Sequence, residues 1–440
     1  MVRAADVHAT LRRHLLVDGY DFVLDLAASR GSWLVDARNG DRYLDLFTHY
    51  ASSPLGSNHR ALADDAGFRA ELAAAALNKP ANSEIYSVPM AEFVETFTRV
   101  LGDPALPYLF LVEGGGPAVE NALKAAFDWK SRHNEAAGRS PALGSKVLHL
   151  TRAFHGRGGY TLSVTNTEPV KTDRFPKFDW PRVDVPAVRF PMEDHRDHVE
   201  AAEARALEQA QAAFAAHLHD VACFLAEPIQ GEGGDNHLRA EFLQAMQSLC
   251  RQHDALLVLD EVQTGCGLTG SGWAYEQLGV EPDLVAFGKK LQVCGVMGGG
   301  RLDEVGDHVF KVSSRINSTW GGNLADMVRA RRILEVVEEE GLVARAATLG
   351  KVFVDLLDGV AARHPGVDNV RGRGLMCAID LPDGPTRDAV VRGLYRDERV
   401  LVLPGGARSV RFRPALTVTE EELAIACAAL NRVLSAIAGV

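Results

Sequence analysis

The sequence predicts an α/β fold: a large domain on a mostly parallel sheet, with a smaller α/β domain assembled from both chain ends. Three observations predict it. From about residue 90 to 325, helical patterns alternate with short apolar strands at Val147 to Leu150, Cys223 to Ala226, Leu256 to Val262 and Leu284 to Phe287. Such alternation implies parallel strands covered by helices. Two of these runs meet a single charged residue at their ends, Asp260 and Lys289, as expected of buried parallel strands whose carboxyl ends face a ligand crevice. Segments at both ends stand outside the alternation, which divides the chain into 1–65, 66–325 and 326–440.

Bulk properties narrow the class. A chain of 440 residues exceeds one ordinary core. With 47% apolar and 24% charged residues it has the balance of a soluble globular protein. Apolar runs such as Ala255 to Leu259 are far short of a membrane span, and Met1 to His8 lacks the apolar core of a signal peptide. A cytoplasmic protein is expected, with no membrane partner. Forty-seven basic against 58 acidic residues leave a net charge of -11, which argues against nucleic acid. The six cysteines are widely spaced with no Cys-x-x-Cys pair, the pattern of reduced thiols rather than a disulfide framework or zinc site.

Taken in order, Ser32–Asp36 and Arg42–Leu46 read as short strands joined at the turn Asn39-Gly40-Asp41. Gly114-Gly115-Gly116-Pro117 opens a helix, with Pro117 where a first-turn proline belongs and Val119, Leu123, Ala126 and Phe127 at helical spacing. Bare glycine amides at a helix N-terminus suit a phosphate; a tight turn without ligand fits the same residues. After the strand at Val147 comes Phe154-His155-Gly156-Arg157, where an aromatic could stack on a planar ring and Arg157 could grip a carboxylate, or Phe154 could simply pack a turn. His195-Arg196-Asp197-His198 reads as a solvated helix start rather than a metal site, and Val199 to Asp220 as an amphipathic surface helix. Gly265-Cys266-Gly267-Leu268-Thr269-Gly270 matches a dinucleotide fingerprint literally. It reads as a loop, because Glu261 to Thr264 intervene after the strand and no ribose-binding acid follows. A long helical pattern runs from Asn323 to about Glu340, followed by a mixed α/β tail.

The acid and the lysine, 29 residues apart, match what pyridoxal phosphate needs. A lysine can form a Schiff base with the cofactor aldehyde, and a carboxylate can hold the pyridine nitrogen protonated so that the ring accepts electrons. Two core strands with charged ends would explain these runs equally well.

Further motifs extend the pattern. Glu227-Pro228-Ile229-Gln230-Gly231-Glu232-Gly233-Gly234, Asp260-Glu261-Val262-Gln263-Thr264-Gly265, Gly288-Lys289 and Ser318-Thr319-Trp320-Gly321-Gly322-Asn323 stand in order with the glycine turn and Phe154-His155-Gly156. Together they resemble the class III aminotransferases of pyridoxal-phosphate fold type I over nearly the whole chain. Within the class, Phe127–Asn134, Arg174–Arg182, Gly288–Met297 and Ser409–Pro414 resemble bacterial L-lysine 6-aminotransferases.

The resemblance implies roles. Lys289 would hold the cofactor and shuttle the proton, with Lys290 structural, and Asp260 would pair with the pyridinium. Gly115 and Gly116 would give amides to the phosphate, joined by Thr319 from the partner subunit of a homodimer with shared sites. Phe154 would stack on the ring, His155 would belong to the cofactor-binding set, and Gln263 would lie beside the ring oxygen near the substrate. Arg157 would take the carboxylate farthest from the reacting carbon. Glu232 and Arg411 would form a switchable pair that masks the arginine for L-lysine and frees it for 2-oxoglutarate. The chain departs from the pattern at Gly116, Pro117 and Leu268, and at His49 and Tyr50 in the substrate-facing stretch Phe47–Ser53. Ornithine, 4-aminobutyrate or another diamine remains an alternative donor, and a racemase, a mutase or a non-enzymatic scaffold a more remote reading.

Overall fold

The computed structural model describes residues 2–437. Seven strands form the central sheet: β1 (Tyr108–Val112), β2 (Lys146–Leu150), β3 (Arg182–Val183), β4 (Val221–Ala226), β5 (Leu256–Asp260), β6 (Leu284–Phe287) and β7 (Cys294–Gly298). Their spatial order is β1-β7-β6-β5-β4-β2-β3. β7 alone runs against its neighbours, antiparallel to β6 and β1, while β6, β5, β4, β2 and β3 pair in parallel. Every residue of β4, β5 and β6 is buried, which is why those segments are continuous apolar runs rather than alternating ones.

The two sheet faces are covered separately. Val147, Leu225, Val258 and Ala286 pack against Val119, Ala122, Leu123 and Trp129 of the helix Gly115–Ala136. Leu148, Phe224, Leu257, Leu259 and Val285 enter a second core with Phe93 and Phe97 of the helix Val88–Leu101 and Phe242 and Met246 of the helix Ala240–Gln252. Each such large side chain stabilises the fold by about 1.5–3 kcal/mol relative to exposure.

Near the N-terminus, Trp33–Val35 pairs antiparallel with Arg42–Asp45, and Arg42–Asp45 pairs in parallel with Val400–Leu401. A four-stranded antiparallel sheet, in the order Asp368–Arg373, Met376–Asp380, Ser409–Phe412, Leu403–Gly405, lies in the C-terminal part. Asn323 caps the helix Leu324–Glu339, its side chain accepting from the Ala325 amide at 3.0 Å. That helix gives Met327, Val328 and Leu334 to the sheet core and Ile333, Val336 and Val337 to the C-terminal core, so it runs across the 325/326 position.

One local feature differs from the sequence reading. The surface helix begins at Met192 rather than Val199 and ends at Ala216, so His195 and His198 lie inside it. Pro191 precedes it, and Glu193 and Asp194 occupy the first turn, where the helix dipole favours acids. Gly265 to Gly270 is a loop beside β5, as expected. Among the described residues no helix is long and apolar enough to cross a membrane.

Candidate active site

The carboxyl ends of β2, β4, β5 and β6 converge on one region. β5 ends at Asp260, whose Cα neighbours Ala286 of β6. One carboxylate oxygen, Oδ1, accepts from the Val262 amide at 3.0 Å; the other, Oδ2, bonds His155 Nδ1 at 2.8 Å. His155 is buried on the stretch after β2, and its Nε2 has no partner among the described residues. The acid is thus held by one amide and one imidazole, and the imidazole orients the carboxylate as a second-layer ligand would.

β6 runs through Gly288 to Lys289, which adopts a left-handed φ of 49°. Burial is the main cause that lowers its ammonium, with the Arg411 charge adding to it, so the group falls to about 8 against the pull of Asp260. Lys290 is also buried and is pulled down to about 7 by that burial, yet its Nζ donates to the Gln263 carbonyl at 2.7 Å. One lysine has a committed partner; Lys289 Nζ has no hydrogen bond among the described residues.

Glu227, directly after β4, has no role in the sequence reading, although an apolar strand running into an acid is the signal that picks out Asp260. Its oxygens accept from the Phe154 amide at 3.0 Å and the Gly231 amide at 3.1 Å. Burial pushes its carboxyl up to about 7, against the opposing effect of His155. It therefore ties the Phe154 turn to the Gly231–Gly234 turn. Phe154 lies beneath Lys171, whose Nζ is 5.4 Å from the ring centroid.

Gln263 has its carboxamide oriented by Arg413, which donates from Nε at 3.1 Å and from a terminal nitrogen at 3.0 Å to Oε1. Arg413 is itself fully buried on both oxygens of Asp235. With Oε1 occupied, Nε2 is the end left to face a ligand. Gly231 leaves the space for this amide: a Cβ there would fall 2.3 Å from Oε1.

Glu232 and Arg411, 179 residues apart in sequence, meet at 2.7 Å. Lys171, which the sequence reading did not single out, holds the other Glu232 oxygen at 2.6 Å. Burial alone would raise the Glu232 carboxyl, but Arg411 and Lys171 outweigh it and bring it down to about 2. The group stays ionised across the neutral range, so the pair opens by competition rather than by protonation. Arg411 also donates to the Pro404 carbonyl at 2.6 and 3.1 Å, while its second terminal nitrogen is buried without a partner. An unpaired buried guanidinium nitrogen is a standing place for a carboxylate.

Arg157 is exposed and shares a cavity of about 390 Å³ with Leu162, Val170, Lys171 and Phe175. Lys171 thereby links Arg157's cavity to the Glu232–Arg411 pair. Thr319 is exposed; its carbonyl accepts from Ser83 Oγ at 3.4 Å, and among the described residues its side chain bonds no group of this chain.

The stretch Phe47–Ser53 holds a feature with no sequence signal. Thr48, His49, Tyr50 and Ala51 form one left-handed helical turn, with φ of 42°, 52°, 60° and 67°, closed by Ala51 N to Phe47 O at 3.0 Å and Ser52 N to Thr48 O at 2.7 Å. Thr48 Oγ1 donates to the Arg413 carbonyl at 2.7 Å, and Gln292 donates to the Ser52 carbonyl at 2.5 Å. Both ends of the turn are pinned to site elements, and His49 and Tyr50 project outward, exposed.

These residues fit pyridoxal phosphate. The helix Gly115–Ala136 starts with amides that have no partner inside the helix. A Cβ at Gly116 would meet nothing closer than the Gly156 Cα at 3.6 Å, so packing leaves room beside that amide. A Cβ at Gly115 would fall 2.9 Å from Val262, which sets the helix end directly against the residues following Asp260. Anion site, acid and low-pKa lysine are thus the donor set that the phosphate, ring nitrogen and aldehyde of this cofactor require.

Comparison with known proteins agrees. A 62% identical L-lysine-epsilon aminotransferase from Amycolatopsis lactamdurans aligns over 425 residues, 96% of this chain and 93% of its own length. Another from Streptomyces clavuligerus is 61% identical over 99% of this chain and 96% of its own. A lysine aminotransferase from M. tuberculosis, solved in the internal aldimine form, superposes with a TM-score of 0.97 at 63% identity, covering 99% of this chain and 100% of that one. Residues 17–434 match the aminotransferase class-III family. Because that match spans the glycine turn, the acid and the lysine alike, the chain belongs to the class-III aminotransferases.

Proposed function

We propose that this protein is a pyridoxal-phosphate-dependent L-lysine 6-aminotransferase that moves the ε-amino group of L-lysine to 2-oxoglutarate. The products are L-glutamate and 2-aminoadipate 6-semialdehyde, which closes on its own α-amine to 1-piperideine-6-carboxylate. The observation that carries this reading is the Glu232–Arg411 pair, closed at 2.7 Å and near enough to Lys289 for the Arg411 charge to help lower its ammonium. Identity above 60% along nearly the whole chain to proteins named L-lysine-epsilon aminotransferases supports the donor.

When bound, the cofactor supplies an aldehyde that receives the amine and a ring that takes up an electron pair. Gly115 and Gly116 would hold its phosphate, Asp260, oriented by His155, its ring nitrogen, Phe154 its face and Gln263 its ring oxygen. Lys289 would provide the amine that anchors it and, once freed by the substrate's amine, would carry the proton from the reacting substrate carbon to the carbon that had been the cofactor's aldehyde. L-Lysine reacts at its far amine, where no carboxylate stands next to the reacting carbon, so Arg411 is best masked by Glu232, while Arg157 takes the distant carboxylate. The keto acid brings a carboxylate next to its reacting carbon and competes for Arg411. One site thereby serves two substrates in turn, a ping-pong scheme.

A homodimer is part of the proposal, with Thr319 of one subunit reaching the phosphate of the other. Lys289→Ala and Thr319→Asp subunits, each inactive alone, are expected to recover part of the activity when exchanged into mixed dimers. No recovery after demonstrated exchange removes the shared site. A cytoplasmic location goes with the six cysteines, all free and buried. In this proposal the domains are 1–65, 66–325 and 326–440, with the helix Leu324–Glu339 bridging the last two.

The reaction is tested with lysine labelled in one nitrogen at a time. Label from the ε-amine is expected in glutamate, with none from the α-amine, and the second product is expected as the cyclic imine. Label transferred from the α-amine would overturn the regiochemistry. Turnover of ornithine without lysine assigns the alternative donor.

A further inference from the structure

Glu232 is held from two sides: Arg411 takes Oε2 at 2.7 Å and Lys171 takes Oε1 at 2.6 Å. The backbone around it has little room to move. Gly406 donates to the Glu232 carbonyl at 3.0 Å, and the Gly231 amide is fixed on Glu227 at 3.1 Å. To uncover Arg411, the carboxylate must therefore swing about its own side-chain bonds. Lys171 is the second cation within that swing, and its own side chain is well shielded, 9% exposed over the Phe154 ring.

We propose that Lys171 is a positioning residue of the substrate switch, holding the Glu232 carboxylate after it leaves Arg411 and so keeping the arginine open to the 2-oxo dicarboxylate. This rests on the Glu232–Arg411 reading above. The argument is differential. With the pair closed, Glu232 has Arg411 as well as Lys171, so losing Lys171 leaves it a charged partner. With the pair open, Lys171 is the partner that remains, and without it a largely buried carboxylate stands uncompensated. An equilibrium shifts only by the difference between its two states, so Lys171 favours the open one. Glu168, 3.4 Å from Lys171 Nζ and half exposed, holds the ammonium from the solvent side.

The test uses the holoenzyme with glutarate, a dicarboxylate that has no keto group and does not react, titrated by calorimetry. In Lys171→Met the glutarate Kd and the 2-oxoglutarate KM are expected to rise about tenfold, a coupling of ordinary size for linked sites. The lysine KM should move less than about twofold, and Lys171→Arg should restore glutarate binding. An unchanged glutarate Kd, or a lysine KM that rises by the same factor, would overturn the proposal; the second result would make Lys171 a ligand of the donor's carboxylate beside Arg157. Failure of the arginine variant to restore binding also counts against it. Glu232→Gln, measured in parallel, should tighten glutarate by uncovering Arg411, and adding Lys171→Met to it should then have no further effect. A Lys171 effect that persists in the double variant is merely structural and sinks the tether. If Glu232→Gln leaves glutarate unchanged, the switch itself fails. If it tightens glutarate while Lys171→Met does nothing, only the tether fails.

Discussion

Lys289→Ala is expected to lose transamination by at least about 10⁴-fold, because one side chain supplies both the anchoring amine and the proton carrier. Lys290→Met should still capture the cofactor, since the Lys290 ammonium is spent on the Gln263 carbonyl. Borohydride reduction of the wild type should fix the cofactor to the peptide containing Lys289; label on Lys290 reverses the assignment. The environment adds a pH signature. An ordinary lysine captures an aldehyde slowly at neutral pH because almost none of it is unprotonated. With the ammonium brought to about 8 by burial and Arg411, the reactive amine grows with pH up to that value. Cofactor capture by the apoprotein should thus rise about tenfold per pH unit below it and level off above. A rate still climbing steeply at pH 10 would mean that Lys289 is not desolvated in solution.

Asp260→Asn comes second in size. The change keeps the shape of the side chain and its contact with the Val262 amide, but removes the negative charge proposed to pair with the ring nitrogen. His155 then loses the carboxylate that fixes its Nδ1. Cofactor should still bind, seen as retained visible absorbance, while turnover falls roughly 10²–10³-fold or more, the scale of losing one preorganised electrostatic contact. Normal turnover in this variant places the electron-sink partner elsewhere.

The sheet was legible where burial is two-sided. β4 and β6 are apolar at every position and β5 at every position before Asp260, so they stand out as runs, and the charged residues at their ends pointed at the crevice. β7 did not stand out, because a strand with glycines at Gly295 and Gly298 looks like a loop. Its glycines answer to neighbours far away in sequence: a Cβ at Gly295 would fall 2.3 Å from the Phe110 carbonyl and 2.6 Å from the Phe287 ring. The same distance problem hid the charge network. Lys171 follows Glu-Pro-Val and reads as an ordinary surface cation, and no local pattern ties it to Glu232, 61 residues on. Asp235 and Arg413, 178 residues apart, orient Gln263 and were equally silent. Glu232 and Arg411 were found through family resemblance alone. Glu227 is the exception, since its strand carried the signal that had already revealed Asp260.

The left-handed turn at Thr48–Ala51 bears on how this enzyme can be re-engineered. Each L-residue in that conformation costs roughly 1–2 kcal/mol, least for glycine, asparagine and aspartate. The segment is held by its anchors to Arg413 and Gln292 rather than by its own preference. A library that randomises residues 49 and 50 to broaden the donor range therefore samples a narrowed alphabet. Valine, isoleucine and threonine are penalised by the backbone before any substrate is met, whereas asparagine and glycine pass freely. Variation at these two positions is best confined to residues that tolerate the turn, which is left as a fixed frame.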